Sequence, residues 1–195
     1  MPSLIKPLFL AALLSVSGAG ISAQETENTA ASDLSLGVPV DGELQPGQPY
    51  VREEFGDWSI RCLFNPDGGD PCQMYQLLSD ADGNDVAEFN MFPLPEGGNA
   101  AAGANIIAPL GTLLTQGVTM SVDGGAARRY PFTVCNANGC VARVGFTADE
   151  VAQFKSGNAA TLIVVPFGNP DAPVSLNVSL TGFTAAFDSG NIGPN

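Results

Sequence analysis

Histidine is absent from all 195 residues. That absence excludes a Ser-His-Asp or Cys-His catalytic arrangement and any His-ligated metal. Basic residues are also scarce, 7 against 20 acids, for a net charge of −13. Phosphate binding needs a basic surface, so this balance argues against nucleic acid and against a bare anionic membrane. Charged residues make up only 14% of the chain, beside 23 glycines and 15 prolines. Such a composition disfavours long helices and favours short strands joined by turns. No apolar run reaches the roughly 20 residues that a membrane-spanning helix requires.

What is present starts with a leader. Lys6 is the sole charge before Glu25, and Leu8–Gly20 reads LFLAALLSVSGAG, apolar and small. This pattern predicts a signal peptide over residues 1–23, cut after Ala23 or alternatively after Ala19. No cysteine precedes Cys62, so a lipid has no N-terminal cysteine to join, and no transmembrane segment is expected in the mature chain. Residues 24–49 are acidic, contain Pro and Gly, and lack periodicity, which reads as a flexible linker. The folded domain is expected over 50–188, with 189–195 a loose tail.

Export changes how Cys62, Cys72, Cys135 and Cys140 are read. In an oxidising compartment an even count points to disulfides. Four cysteines allow three pairings, and the local one, Cys62–Cys72 with Cys135–Cys140, is favoured. In VCNANGC, Val134 to Cys140, a four-residue loop sets the two cysteines opposite each other on a hairpin. Asn138-Gly139 supplies the turn's backbone freedom. Zinc fits less well, because nine residues separate the first pair where two to four are usual. A thiol oxidoreductase would need Cys-x-x-Cys at a helix start.

Alternation marks strands in WSIRCLF (Trp58–Phe64), QMYQLL (Gln73–Leu78), DVAEFNMF (Asp85–Phe92) and VTMSVD (Val118–Asp123). TLIVV (Thr161–Val165) is apolar on both faces, as a central strand would be. VSLNVSLTGF puts Val174, Leu176, Val178 and Leu180 inward. The arms of the cysteine hairpin set Arg143 opposite Phe132, a mismatch that a bulge would resolve. One helix is expected, in TADEVAQFKSG: Thr147 and Glu150 form a capping box, Gly157 stops it, and Val151 and Phe154 face the core. Trp58 belongs in the core, where its indole N–H needs an acceptor. Seven to nine short strands with one short helix make an all-β, two-sheet sandwich.

Several motifs together carry a resemblance. They are FGDW (Phe55–Trp58), Cys62…Pro71-Cys72-x-Met74, PLG (Pro109–Gly111), GVTMSVDG (Gly117–Gly124), PFTVCNANGC (Pro131–Cys140) and SLTGFTAAF (Ser179–Phe187). In this order and combination the chain resembles the invasion-associated locus B family of exported bacterial proteins. The resemblance implies an immunoglobulin-like β-sandwich in the periplasm or at the envelope surface of a Gram-negative bacterium. It brings no catalytic motif. The family's name reflects a part in host red-cell invasion for some pathogenic members, and many similar proteins belong to free-living bacteria.

SDADGNDVAE (Ser79–Glu88) has some of the acids of a calcium loop, but Asp85 stands where the sharp-turn Gly belongs and Met91 where a bidentate Glu is required. A hairpin turn accounts for it better. Arg128-Arg129 is the sole dibasic pair, a candidate for binding a carboxylate-rich partner or simply an exposed strand end. The expectation is therefore an exported interaction protein, periplasmic, outer-membrane-associated or extracellular. It would bind an unidentified protein of the envelope or of a host cell, without metal, cofactor or catalysis. A periplasmic carboxylate-dependent hydrolase and a structural accessory subunit with no ligand are the alternatives.

Overall fold

A computed structural model describes residues 42–190 and Ile192. The signal-peptide expectation, the linker up to residue 41 and most of the tail lie outside the described residues. Two antiparallel sheets face each other. Seven strands build the larger: β1 (Pro49–Phe55), β2 (Trp58–Leu63), β3 (Cys72–Ser79), β4 (Asp85–Pro93), β5 (Ala102–Ala108), β8 (Val134–Asn136) and β9 (Gly139–Phe146). Their spatial order is β1-β2-β3-β4-β5-β9-β8. The smaller sheet runs β11-β10-β6-β7, from β6 (Val118–Val122), β7 (Arg128–Tyr130), β10 (Ala159–Val164) and β11 (Val174–Ser179). Helix α1 covers Ala148–Ser156 and α2 covers Phe183–Asp188. The expected two-sheet β-sandwich is present, with a first sheet that begins as a five-strand meander.

Period-two patterning explains which faces meet. Trp58, Ile60 and Cys62 on β2, Ala87, Phe89 and Met91 on β4, and Leu176 and Val178 on β11 are all buried. The aromatic residues form a connected network: Trp58 meets Phe183 edge-on at 5.4 Å and Phe89 at 5.7 Å, and Phe146 meets Phe154 at 5.1 Å. Each such fully buried side chain contributes about 1.5–3 kcal/mol by its removal from water. The indole N–H of Trp58 donates to the Ser179 carbonyl at 2.8 Å. Beside it, the Gln76 amide accepts from the Ser179 N–H at 2.8 Å and donates to the Ser179 and Asp57 carbonyls. These bonds tie the large sheet to the end of β11.

Cys62–Cys72 and Cys135–Cys140 are disulfide-bonded, with S–S distances of 2.04 and 2.07 Å. Each pair is directly opposed in its strand register. The hairpin mismatch resolves as a bulge. The Thr133 N–H donates to the Val141 carbonyl, although Val141 is already paired with Val134. The capping box of α1 is complete, and Val151 and Phe154 are buried. Gly157 ends that helix for a different reason from the one expected. Its φ is −81°, and a side chain there would press on Val122 and Leu180.

Three elements depart from the sequence reading. β1 went unanticipated because it is an exposed edge carrying Arg52, Glu53 and Glu54. β5, AGANIIA, opens on four small or polar residues, Ala102 to Asn105, and a Cβ on Gly103 would strike the Phe92 ring at 2.6 Å. The run VSLNVSLTGF does not stay extended. β11 stops at Ser179, Gly182 takes φ +84°, and Phe183 opens a second helix. Only Gly fits that position, because a Cβ would lie 2.0 Å from the Phe55 carbonyl oxygen. At the domain's margins, Gly47 and Gln48 exchange backbone bonds with Phe64, and Ile192 packs against the core.

Candidate interaction surface

The dibasic pair does not act as a unit. Neighbours on a strand point to opposite faces, and in β7 Arg128 pairs with Met120 while Arg129 pairs with Thr119. Arg128 reaches α1, where its Nε lies 3.0 Å from Glu150 Oε1. Arg129 lies against Gly117 instead: a Cβ there would be 3.3 Å from its Cγ. The four cysteines are spent as staples in two separate hairpins.

Arg128 lines a cavity of about 450 Å³ between β6, β7 and α1, floored by Met120, Tyr130, Phe146 and Phe154. Two carboxylates face it, and both already serve the fold. Asp123 accepts the backbone N–H of Ala159 at 3.0 Å and of Asn158 at 3.1 Å. Those bonds hold its carboxyl below the usual carboxylate range. Glu150 accepts the Thr147 N–H at 2.8 Å through one oxygen and meets Arg128 through the other. Burial, and then the charge of Glu150, push the Tyr130 phenol up. Both carboxylates of this cavity are thus engaged by backbone N–H groups or by Arg128.

A different feature has the character of a contact site. Beyond β5 the chain turns at Pro109-Leu110-Gly111, where Gly111 has φ +90°. The Thr112 hydroxyl and N–H both donate to the Pro109 carbonyl, at 2.8 and 3.3 Å. This loop is zipped to the loop after β10. Leu113 N–H donates to the Val165 carbonyl and Phe167 N–H to the Gly111 carbonyl, each at 2.7 Å. Thr112 and Pro166 form a bridge between the two. On this paired knuckle Leu110, Leu114 and Phe167 stand exposed, and Phe167, at 69%, is the most open of the large exposed apolar side chains. The other such residues among the described ones, Val51, Leu63, Leu77 and Val134, fall one each on β1, β2, β3 and β8. No charge occurs between Glu96 and Asp123, or between Lys155 and Asp171, so the knuckle is neutral in a strongly acidic chain. Its backbone is already fixed, so a partner docking there need not order it. Exposed bulky apolar side chains on hydrogen-bonded surface loops are a feature that interaction sites use.

No motif in the sequence marks Leu110, Leu114 and Phe167 as a site beyond the place of PLG among the family-like motifs. The available signal was the pair of charge-free stretches, each carrying bulky apolar residues beside Pro and Gly.

Comparison with known proteins agrees with this architecture. The family model described as invasion associated locus B (IalB) protein matches residues 58–191. Two invasion protein B homologues of Brucella abortus, from strain 2308 and from biovar 1 strain 9-941, are each 31% identical over 164 residues, covering 82% of this chain and 88% of theirs. The crystal structure of invasion associated protein B from Bartonella henselae superposes with a TM-score of 0.56 at 26% identity, over 69% of this chain and 90% of that one. Among the described residues no helix is long and apolar enough to cross a membrane. The chain belongs to the invasion associated locus B family.

Proposed function

We propose that this protein is an exported bacterial interaction protein that binds another protein through the neutral knuckle of Leu110, Leu114 and Phe167. Its place is the periplasm, the outer membrane or the cell exterior. The leader-like first 23 residues and the two disulfides support export. The names of its relatives favour a part in contact with a host cell. The observation that carries the reading is the exposure of three large apolar side chains on two hydrogen-bonded, uncharged loops. Truncating such anchors typically costs more than the surrounding contacts do.

The test is site-specific photo-crosslinking in intact cells. A photoreactive residue is placed at Leu110 or at Phe167, with Glu96 on another exposed loop as the control. The expected result is one protein captured from both knuckle positions, absent from the control, and lost when the other two knuckle side chains are changed to Ser (Leu114→Ser/Phe167→Ser for the probe at Leu110, Leu110→Ser/Leu114→Ser for the probe at Phe167). No specific capture across several growth conditions, or equal capture from Glu96, would sink the reading.

A further inference from the structure

We propose that β11 is the edge through which two copies of this chain pair as a symmetric dimer, by a surface separate from the knuckle. The sandwich has four strand edges: β1 and β8 in the large sheet, β11 and β7 in the small one. Three carry the features that block strand addition. β1 has a register break at Arg52 and two glutamates beside it. β8 is three residues long and tied by a disulfide. β7 is also three residues long and carries Arg128 and Arg129. β11 has none of these. It runs six residues in unbroken register with β10 and contains no charge, no Pro and no Gly.

Its free hydrogen-bonding groups can be assigned. Leu180 N–H donates to the Asn158 carbonyl, continuing the β10 side of the ladder. By alternation Leu176 and Val178 bond β10, while Ser175, Asn177 and Ser179 turn their backbone groups outward. The Ser179 groups are taken by Gln76 and Trp58. Ser175 and Asn177 are exposed, and their outward N–H and C=O groups have no partner among the described residues.

This free edge is complementary to itself. An antiparallel pairing centred on Leu176 sets Ser175 against Asn177 of the partner subunit, and the reverse, giving four backbone hydrogen bonds. The next outward position on each side would set Pro173 against Ser179 of the partner subunit. Pro173 has no N–H, and the Ser179 groups are already bound, so the ladder stops at that length. The two small sheets would become one eight-stranded sheet, and because both copies use the same patch the assembly closes at two. Charge favours this meeting place. An excess of 20 acids over 7 basic residues keeps copies apart in general, but the chain from Ala172 to Phe187 carries no charge.

The experiment is sedimentation of the mature, oxidised chain from about 1 µM to about 500 µM. A concentration-dependent monomer–dimer equilibrium is expected. Ser175→Pro removes an outward N–H from each copy, and an edge strand tolerates it. It should weaken association by at least ~30-fold. Asn177→Lys, which leaves the backbone intact, should weaken it as well, and far-UV circular dichroism would verify the fold of both. A monomer throughout, growth beyond the dimer, or a dimer indifferent to both variants would overturn the proposal.

Discussion

Replacing Gln76 by Met would test what joins the two sheets. The two side chains have similar volume and differ chiefly in the amide, so packing is largely conserved. Gln76 is buried, and its amide makes three bonds: it accepts from the Ser179 N–H at 2.8 Å and donates to the carbonyls of Ser179 at 3.1 Å and Asp57 at 3.2 Å. In the variant the Ser179 carbonyl keeps the Trp58 indole, but the Ser179 N–H loses its acceptor. An orphaned buried donor costs about 1–3 kcal/mol, and the lost bond to Asp57 adds about 1 kcal/mol. The expected loss is about 2–4 kcal/mol, which lowers Tm by about 4–16 °C for a domain of this size. Urea unfolding should show a lower midpoint with an unchanged slope, because the surface exposed on unfolding is the same. A variant within about 0.5 kcal/mol of wild type would refute the reasoning. The Gln76 amide would then add nothing to the joint beyond its packing.

The disulfides should differ in worth because their loops differ, with sequence separations of 10 and 5. Loop-closure entropy gives about 3 kcal/mol for Cys62→Ser/Cys72→Ser and about 2 kcal/mol for Cys135→Ser/Cys140→Ser, measurable by urea unfolding of the double variants. Thr147→Ala removes the cap of α1 and should cost about 1 kcal/mol, read as a shift in the urea midpoint. Acid should destabilise the fold through Asp70, whose carboxyl is held below its ordinary value of 3.8 by the Tyr50 hydroxyl first, then the Asn65 N–H and Arg52. A depressed carboxylate contributes fully above the unfolded value and loses that contribution as pH falls below it. Stability measured from about pH 5 down to about pH 2 should therefore drop, and Asp70→Asn should flatten that drop. Gly182→Ala should disrupt folding through its 2.0 Å clash with the Phe55 carbonyl, whereas Gly111→Ala, with nothing within 4 Å of a Cβ, should cost only about 1 kcal/mol of backbone strain. Thermal melts of the two variants check the difference.

Local rules wrote part of this structure into the sequence and tertiary contacts wrote the rest. The cysteine hairpin, the α1 cap and the partner need of Trp58 were legible because each depends on residues of fixed type at fixed spacing. β5 was not, because its small residues answer to the ring of Phe92 on the neighbouring strand. α2 was not, because six residues are too few to hold a helix by propensity. Its Phe183 is held instead by Trp58 and by Phe154 of α1. The knuckle was hidden for a related reason. Leu110, Leu114 and Phe167 have the composition of core residues, and only the path of two loops distant in sequence leaves them outside.

Twenty acids offer material for the carboxylate-dependent hydrolase alternative, and the structure shows what several of them do. Asp80 accepts the N–H groups of Asp82 and Asn84 and closes the β3–β4 hairpin, the loop that superficially looked like a calcium site. Asp123 holds Asn158 and Ala159. Asp70 ties the Cys62–Cys72 loop to Tyr50 at 2.5 Å and to Arg52 at 3.3 Å. Asp57 accepts the Ser179 hydroxyl beside the inter-sheet joint. A carboxylate that holds backbone or anchors a loop is fixed in place, and protonating it weakens the turn it secures. Acids therefore do the local stapling that a turn-rich fold of this size needs, alongside the two disulfides. The knuckle and the stretch of β11 from Ser175 to Asn177 carry no acid of their own, so another protein approaching there meets less like charge.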